Sequence, residues 1–133
     1  MARTYNIFVS HSWKNIDQLI KLRDLLQKRG YFHVQFLEAT PDVPINSDRA
    51  AYIKKKLKQR IENSDVVLAI SGVYATKSYW MNWEIKTANS LNIPIIGVSP
   101  RGQIKNSSFV QNYSVDLVNW YTRSIVNAIR KHA

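Results

Sequence analysis

Apolar residues along the 133-residue chain fall into two alternating patterns. The first is a short unbroken run: "YNIFVS" (Tyr5–Ser10), "DVVLAIS" (Asp65–Ser71) and "IPIIGVS" (Ile93–Ser99). Runs of this length read as strands covered on both faces. "HVQFLEA" (His33–Ala39) reads as a further strand. The second pattern repeats apolar residues every three or four positions, the spacing of one helix face. In Ile16–Gly30 it takes Ile16, Leu19, Ile20, Leu22, Leu25 and Leu26, with Gly30 as the C-terminal cap. In "SDRAAYIKKKLKQRIENS" it takes Ile53, Leu57 and Ile61, with Ser47 or Asp48 as the N-cap. "SYWMNWEIKTANSLN" starts at its cap Ser78 and places Met81, Ile85 and Ala88 on one stripe. After the last long run, "PRGQIKNSSFVQNY" reads as a polar loop leading to a short strand over Val115–Val118. A closing helix, Thr122–Lys131, buries Ile125, Val126 and Ile129.

The order is therefore β-α-β-α-β-α-β-loop-β-α. Unbroken apolar strands separated by helices predict a parallel sheet in a three-layer α/β domain, with helices on both faces. Five strands joined by right-handed crossovers predict the flavodoxin-like order 2-1-3-4-5, and the length suits a single domain over residues 1–133. Ligands of such sheets sit at the carboxyl ends of the strands where the order reverses, here between strands 1 and 3. That brings "SHSWKN" (Ser10–Asn15) to "SGVYATKSYW" (Ser71–Trp80), which runs into the third helix.

Composition narrows the chemistry. The chain has no cysteine, which excludes disulfides and thiolate metal sites. Nineteen basic residues against nine acids give a formal charge of +10, a field that attracts anions without choosing among them. The start "MARTYNIFVS" has no signal-peptide run and no segment is long enough to cross a bilayer, so a cytoplasmic location and no membrane partner are expected. Neither G-x-G-x-x-G nor G-x-x-x-x-G-K-S/T occurs, which removes a dinucleotide Rossmann site and a P-loop. A phosphoacceptor receiver would need acids after strand 1 and at the end of strand 3. The chain offers Ser10, His11, Ser12 and Ser71 there. His11, His33 and His132 are scattered, so no metal site is expected.

Glu84 remains. It is the one acid of its helix, and Trp80 lies one turn before it. With Met81, Ile85 and Ala88 taking the core contact, the side bearing Trp80, Glu84 and Thr87 is placed toward the crevice. An ordinary glycosidase needs two carboxylates, because its leaving oxygen must be protonated. The nicotinamide–ribose bond of NAD does not, since the pyridinium leaves as a neutral base. One glutamate near the ribose hydroxyls can then stabilise the developing oxocarbenium charge, more strongly where the dielectric is low.

"IFVSHSWKN", "SDVVLAISGVYATKSYWMNWEIKTA", "IPIIGVSPRGQ" and "VNWYTRSIVNAI" together resemble the TIR-like family typified by ThsB of Thoeris anti-phage defence. The likeness covers essentially the whole chain, and the combination of pieces is more specific than any one of them. It implies a TIR fold and assigns Glu84 to the glutamate essential for NAD cleavage, with Trp80 as the tryptophan lining the site. It further implies NAD as substrate with no separate cofactor, a cyclic ADP-ribose-type product, and a separate effector that the product activates. The loop Ala39–Ser47 corresponds to the segment that TIR domains use for self-assembly.

Around Glu84, the candidate substrate-binding residues are Ser10, His11, Trp80, Trp13 and Lys14. Lys14, with the start of the first helix, reads either as neutralising a pyrophosphate or as a solvated lysine, and Trp13 reads either as core or as cover for the adenine or nicotinamide. Trp83 is expected to pack against the sheet. Arg101, beyond strand 4, reads as structural. Two competing functions stand beside NAD processing. One is a TIR-like signalling or assembly module without catalysis, because a fold does not fix an activity. The other is nucleic-acid binding, the weaker reading: "KKKLKQR" (Lys54–Arg60) is the outer face of a helix whose inner face is already defined, and the aromatics are not set out as strand platforms.

Overall fold

The computed structural model describes residues 3–11, 16–37, 50–71, 79–100 and 108–133. Five strands alternate with five helices. In chain order they are β1 (Thr4–Ser10), α1 (Ile16–Gln27), β2 (His33–Leu37), α2 (Ala50–Glu62), β3 (Val66–Ile70), α3 (Tyr79–Ser90), β4 (Ile95–Ser99), α4 (Ser108–Tyr113), β5 (Asp116–Asn119) and α5 (Thr122–His132). All four strand pairings are parallel, and the sheet order is β2-β1-β3-β4-β5. The flavodoxin-like order expected from the pattern is thus the one formed. β3 and β4 are buried along their whole length, and the partly exposed β2 and β5 form the edges.

Two apolar layers flank the sheet. Ile7, Val9, Leu68, Ile70, Ile96 and Val98 face α1 and α5. Phe8, Val67, Ala69 and Ile95 face α2, α3 and α4. The period-2 alternation of a strand produces this split. On α3, Met81, Ile85 and Ala88 are fully buried, as their spacing predicts. Burying Met81 and Ile85 stabilises by about 1.5–3 kcal/mol each. That contact fixes the rotation of α3 and so the side from which Glu84 emerges.

Some boundaries differ from the sequence expectation. α1 ends at Gln27, and the left-handed residue after it is Tyr31 (φ 58°), not Gly30. Arg130 Nη2 donates to the Tyr31 carbonyl at 2.9 Å and its guanidinium lies over the Phe32 ring, which ties this turn to α5. Ile20, included in the α1 stripe, is 63% exposed. Part of the expected polar loop is α4, six residues with Val110 buried. α4 lies close to β4 at Gly97, where a Cβ would sit 2.6 Å from Leu117 Cδ1 and 3.1 Å from Val110 Cγ1. β5 begins one residue later than expected. Ser47, Asp48 and Ser78, the expected caps, lie outside the described residues.

Candidate functional site

The sheet order reverses beside β1, whose neighbours are β2 and β3. At its carboxyl end Ser10 pairs in register with Ala69. Ser71 follows β3 and its backbone N–H donates to the Val98 carbonyl at 2.8 Å. Ser10, His11 and Ser71 are all fully buried. Three polar side chains at the inner end of an apolar sheet need polar company, because burying such groups unmet is unfavourable.

For Ser10 that company is Glu84. Its Oγ donates to Glu84 Oε1 at 2.7 Å, across 74 residues of sequence. Glu84 is itself fully buried, so it is not a solvated surface charge. Two local features cause this. Ser10 shares the strand face of Phe8, which packs in the α2–α3 layer. Glu84 directly precedes Ile85 and follows Met81 by three, so the core anchors of α3 carry it inward. A carboxylate deep in the protein is retained at substantial cost unless hydrogen bonds meet it.

The indoles divide less sharply than expected. Trp80 is 6% exposed and belongs to the buried layer with Phe8, Ala69 and Met81. Trp83 is half-buried against the same layer, and the two rings meet edge to face with centroids 6.2 Å apart. Trp80, one turn before Glu84, is the deeper of the two, and Trp83 flanks it. Tyr79, at the start of α3, is exposed. Trp13, Lys14, Arg101 and the Ala39–Ser47 loop lie outside the described residues.

His11 differs in charge from an ordinary surface histidine. Burial pushes its pKa down from 6.5 to about 4; a backbone hydrogen bond with Val9 opposes this, and the nearby positive charge of Arg23 adds to the lowering. His11 is therefore neutral at physiological pH and brings hydrogen-bonding nitrogens without a cation. Arg23 was not singled out by the sequence pattern. It stands on α1 between Leu22 and Asp24, one position off the buried stripe. Its Nη2 donates to the Leu37 carbonyl at the end of β2, at 3.5 Å, and its guanidinium lies 5.6 Å from the Phe36 ring centroid. Its Nε is buried with no hydrogen-bond partner among the described residues, and burial pushes its pKa down. Among the described residues no group of three or more His, Asp or Glu could hold a metal ion, and no helix is long and apolar enough to cross a membrane.

Residues 8–105 match the family described as Thoeris protein ThsB, TIR-like domain. The matched span includes Ser10, His11, Arg23 and Glu84. No curated protein matches the chain. Among solved structures, the CMP N-glycosidase BcmB of Clostridium botulinum superposes with a TM-score of 0.54 at 15% identity, covering 92% of this chain and 98% of that one. A 3-dehydroquinate dehydratase-like protein from Bifidobacterium longum gives a TM-score of 0.50 at 17% identity, covering 98% and 95%. At these identities the likeness is one of fold.

Proposed function

The chain belongs to the ThsB TIR-like family of Thoeris proteins, and from that premise we propose that it is an NAD-processing enzyme of anti-phage defence. It cleaves the nicotinamide–ribose bond and makes a cyclic ADP-ribose-type signal for a separate effector. The observation that carries this reading is the buried Ser10–Glu84 pair at the carboxyl end of β1. A fold shared with a nucleotide N-glycosidase accords with breaking a bond between ribose and a base.

In the proposed reaction the bond between ribose C1′ and the pyridinium nitrogen breaks, and its electron pair stays with the nitrogen. Nicotinamide leaves neutral, so no acid is needed to protonate it. The positive charge passes to C1′ and the ring oxygen. Glu84, as a carboxylate in a water-poor setting, stabilises that charge, and the Ser10 hydroxyl holds Oε1 so that little reorganisation is needed. A nucleophile then adds to C1′ and gives up its proton to solvent water. An oxygen or nitrogen of the adenosine half closes a ring, whereas water gives ADP-ribose.

The test is to follow nicotinamide release and product mass from NAD. The protein is taken both purified and in lysate of phage-infected cells expressing it, beside Glu84→Gln. A mutant as active as wild type would remove Glu84 from the mechanism. If wild type forms no product in either preparation, a non-catalytic assembly role is the better reading.

A further inference from the structure

We infer that Arg23 anchors the phosphate groups of the substrate. A nucleotide then lies across the end of β1, with its glycosidic bond toward Glu84 and its phosphates toward α1. The identity of that nucleotide rests on the function proposed above; the anion site itself rests on Arg23 and its surroundings. Successive residues of a strand point to opposite faces. Ser10 turns to the α3 side, where Glu84 receives its hydrogen bond. Ile7 and Val9 turn to the α1 side. His11 is next in that alternation, and the positive charge of Arg23 is near enough to act on it. Arg23 waits on that side, against the last two residues of β2.

Among the described residues the guanidinium is under-used. It has five N–H donors, and the one protein bond it makes among the described residues is the long contact to Leu37. Its Nε is withdrawn from solvent and unmet among the described residues. Its sequence neighbour Asp24 points elsewhere, bound to Lys28 at 2.9 Å. A guanidinium held near an aromatic ring, with N–H donors to spare and no acid paired to it among the described residues, fits a ligand that brings several anionic oxygens. A pyrophosphate does so with bidentate geometry. His11 beside it, neutral at physiological pH, adds hydrogen-bonding capacity and no competing charge.

The experiment is calorimetric titration of the full chain with inorganic pyrophosphate and with ADP, at an ionic strength of roughly 0.15 M to screen exposed charges. Arg23→Met keeps the apolar stem against Phe36 and removes the charge. Arg23→Gln keeps a donor for the Leu37 carbonyl, and carries the test if the Met variant does not fold. Lys56→Met, on the exposed face of α2, controls for the general field of the +10 chain. Wild type is expected to bind both probes. Either Arg23 variant should weaken both at least tenfold, and Lys56→Met should change them less than twofold. Equal binding by wild type and an Arg23 variant, equal losses in the Arg23 and Lys56 variants, or no binding by wild type would each overturn the inference. Pyrophosphate has no glycosidic bond, so its result is independent of cleavage. Arg23-dependent binding without nicotinamide release would sink the catalytic reading alone. Release with Arg23-independent binding would sink this one alone.

Discussion

Two acids stand at opposite ends of the central strands and are held in opposite ways. Asp65, at the amino end just before β3, is part-exposed. Its Oδ2 accepts the Asn6 backbone N–H at 2.8 Å, and its Oδ1 lies 3.3 Å from Arg3 Nη2. Glu84, at the carboxyl end, is fully buried and accepts a hydrogen bond from a neutral hydroxyl. Asp65 has a partner for each oxygen and contact with water, which is how an acid that joins two strands is ordinarily satisfied. Glu84 is withdrawn from water at the topological switch point, where ligands of such sheets bind. The contrast separates an acid that splices the sheet from one suited to chemistry.

The sharpest way to break this contrast is to neutralise each acid in turn. Glu84→Gln keeps the shape and a group that accepts from Ser10. It should lower nicotinamide release by about 10²–10³-fold, the usual loss when one electrostatic element of a transition-state site goes. The melting transition should change little by comparison. A comparable loss of melting temperature would instead make Glu84 a structural residue.

The next effect is on stability, and it comes from His11. Above pH 6.5 both the folded and unfolded chains hold this histidine neutral. Below 6.5 the unfolded chain takes up a proton that the folded chain refuses until about pH 4. The contribution is therefore intact above 6.5 and is lost as the pH falls toward 4, by about 3 kcal/mol in all. Denaturant midpoints of wild type and His11→Gln measured across this window should converge as the pH drops. Parallel curves would mean that His11 is not held neutral.

Smaller again is the effect of Ser10→Ala. It removes the donor to Oε1 but leaves the carboxylate, and should cost turnover about tenfold, or about 1.4 kcal/mol. An unchanged rate would show that Glu84 does not need Ser10 to orient it. The smallest expected change is in Asp65→Asn. It should destabilise by about 1 kcal/mol, since one hydrogen bond and one exposed ion pair are weakened. Nicotinamide release should stay at the wild-type rate once folding is matched. A lost activity there would erase the distinction between the two ends.

The fold was legible because its signals are local. β3 and β4 are unbroken apolar runs, and the stripe of α3 names Met81, Ile85 and Ala88 without ambiguity. α4 was not legible, since six residues with one buried side chain show no period. Gly30 looked like the left-handed residue after α1, but Tyr31 takes that conformation, held by Arg130 from the far end of the chain. The arrangement around the candidate site was partly legible. Periodicity put Glu84 on the flank of a core stripe, but the depth of a flank depends on how close β1 and α2 come, which no local pattern states. The Ser10–Glu84 bond joins elements 74 residues apart. Arg23 was invisible for a similar reason. One position off a helical stripe, a cation ordinarily reaches water, and only the packing of β2 against α1 turns it inward.

On the proposed function, the fully buried acid at the end of β1, and not the part-exposed acid at the other end, serves catalysis. The most direct measurement is nicotinamide release from NAD by wild type, Glu84→Gln and Asp65→Asn, at equal folded concentration in one infected-cell lysate background. Loss of at least 10²-fold in Glu84→Gln alone is the predicted result. Equal rates for wild type and Glu84→Gln would contradict it.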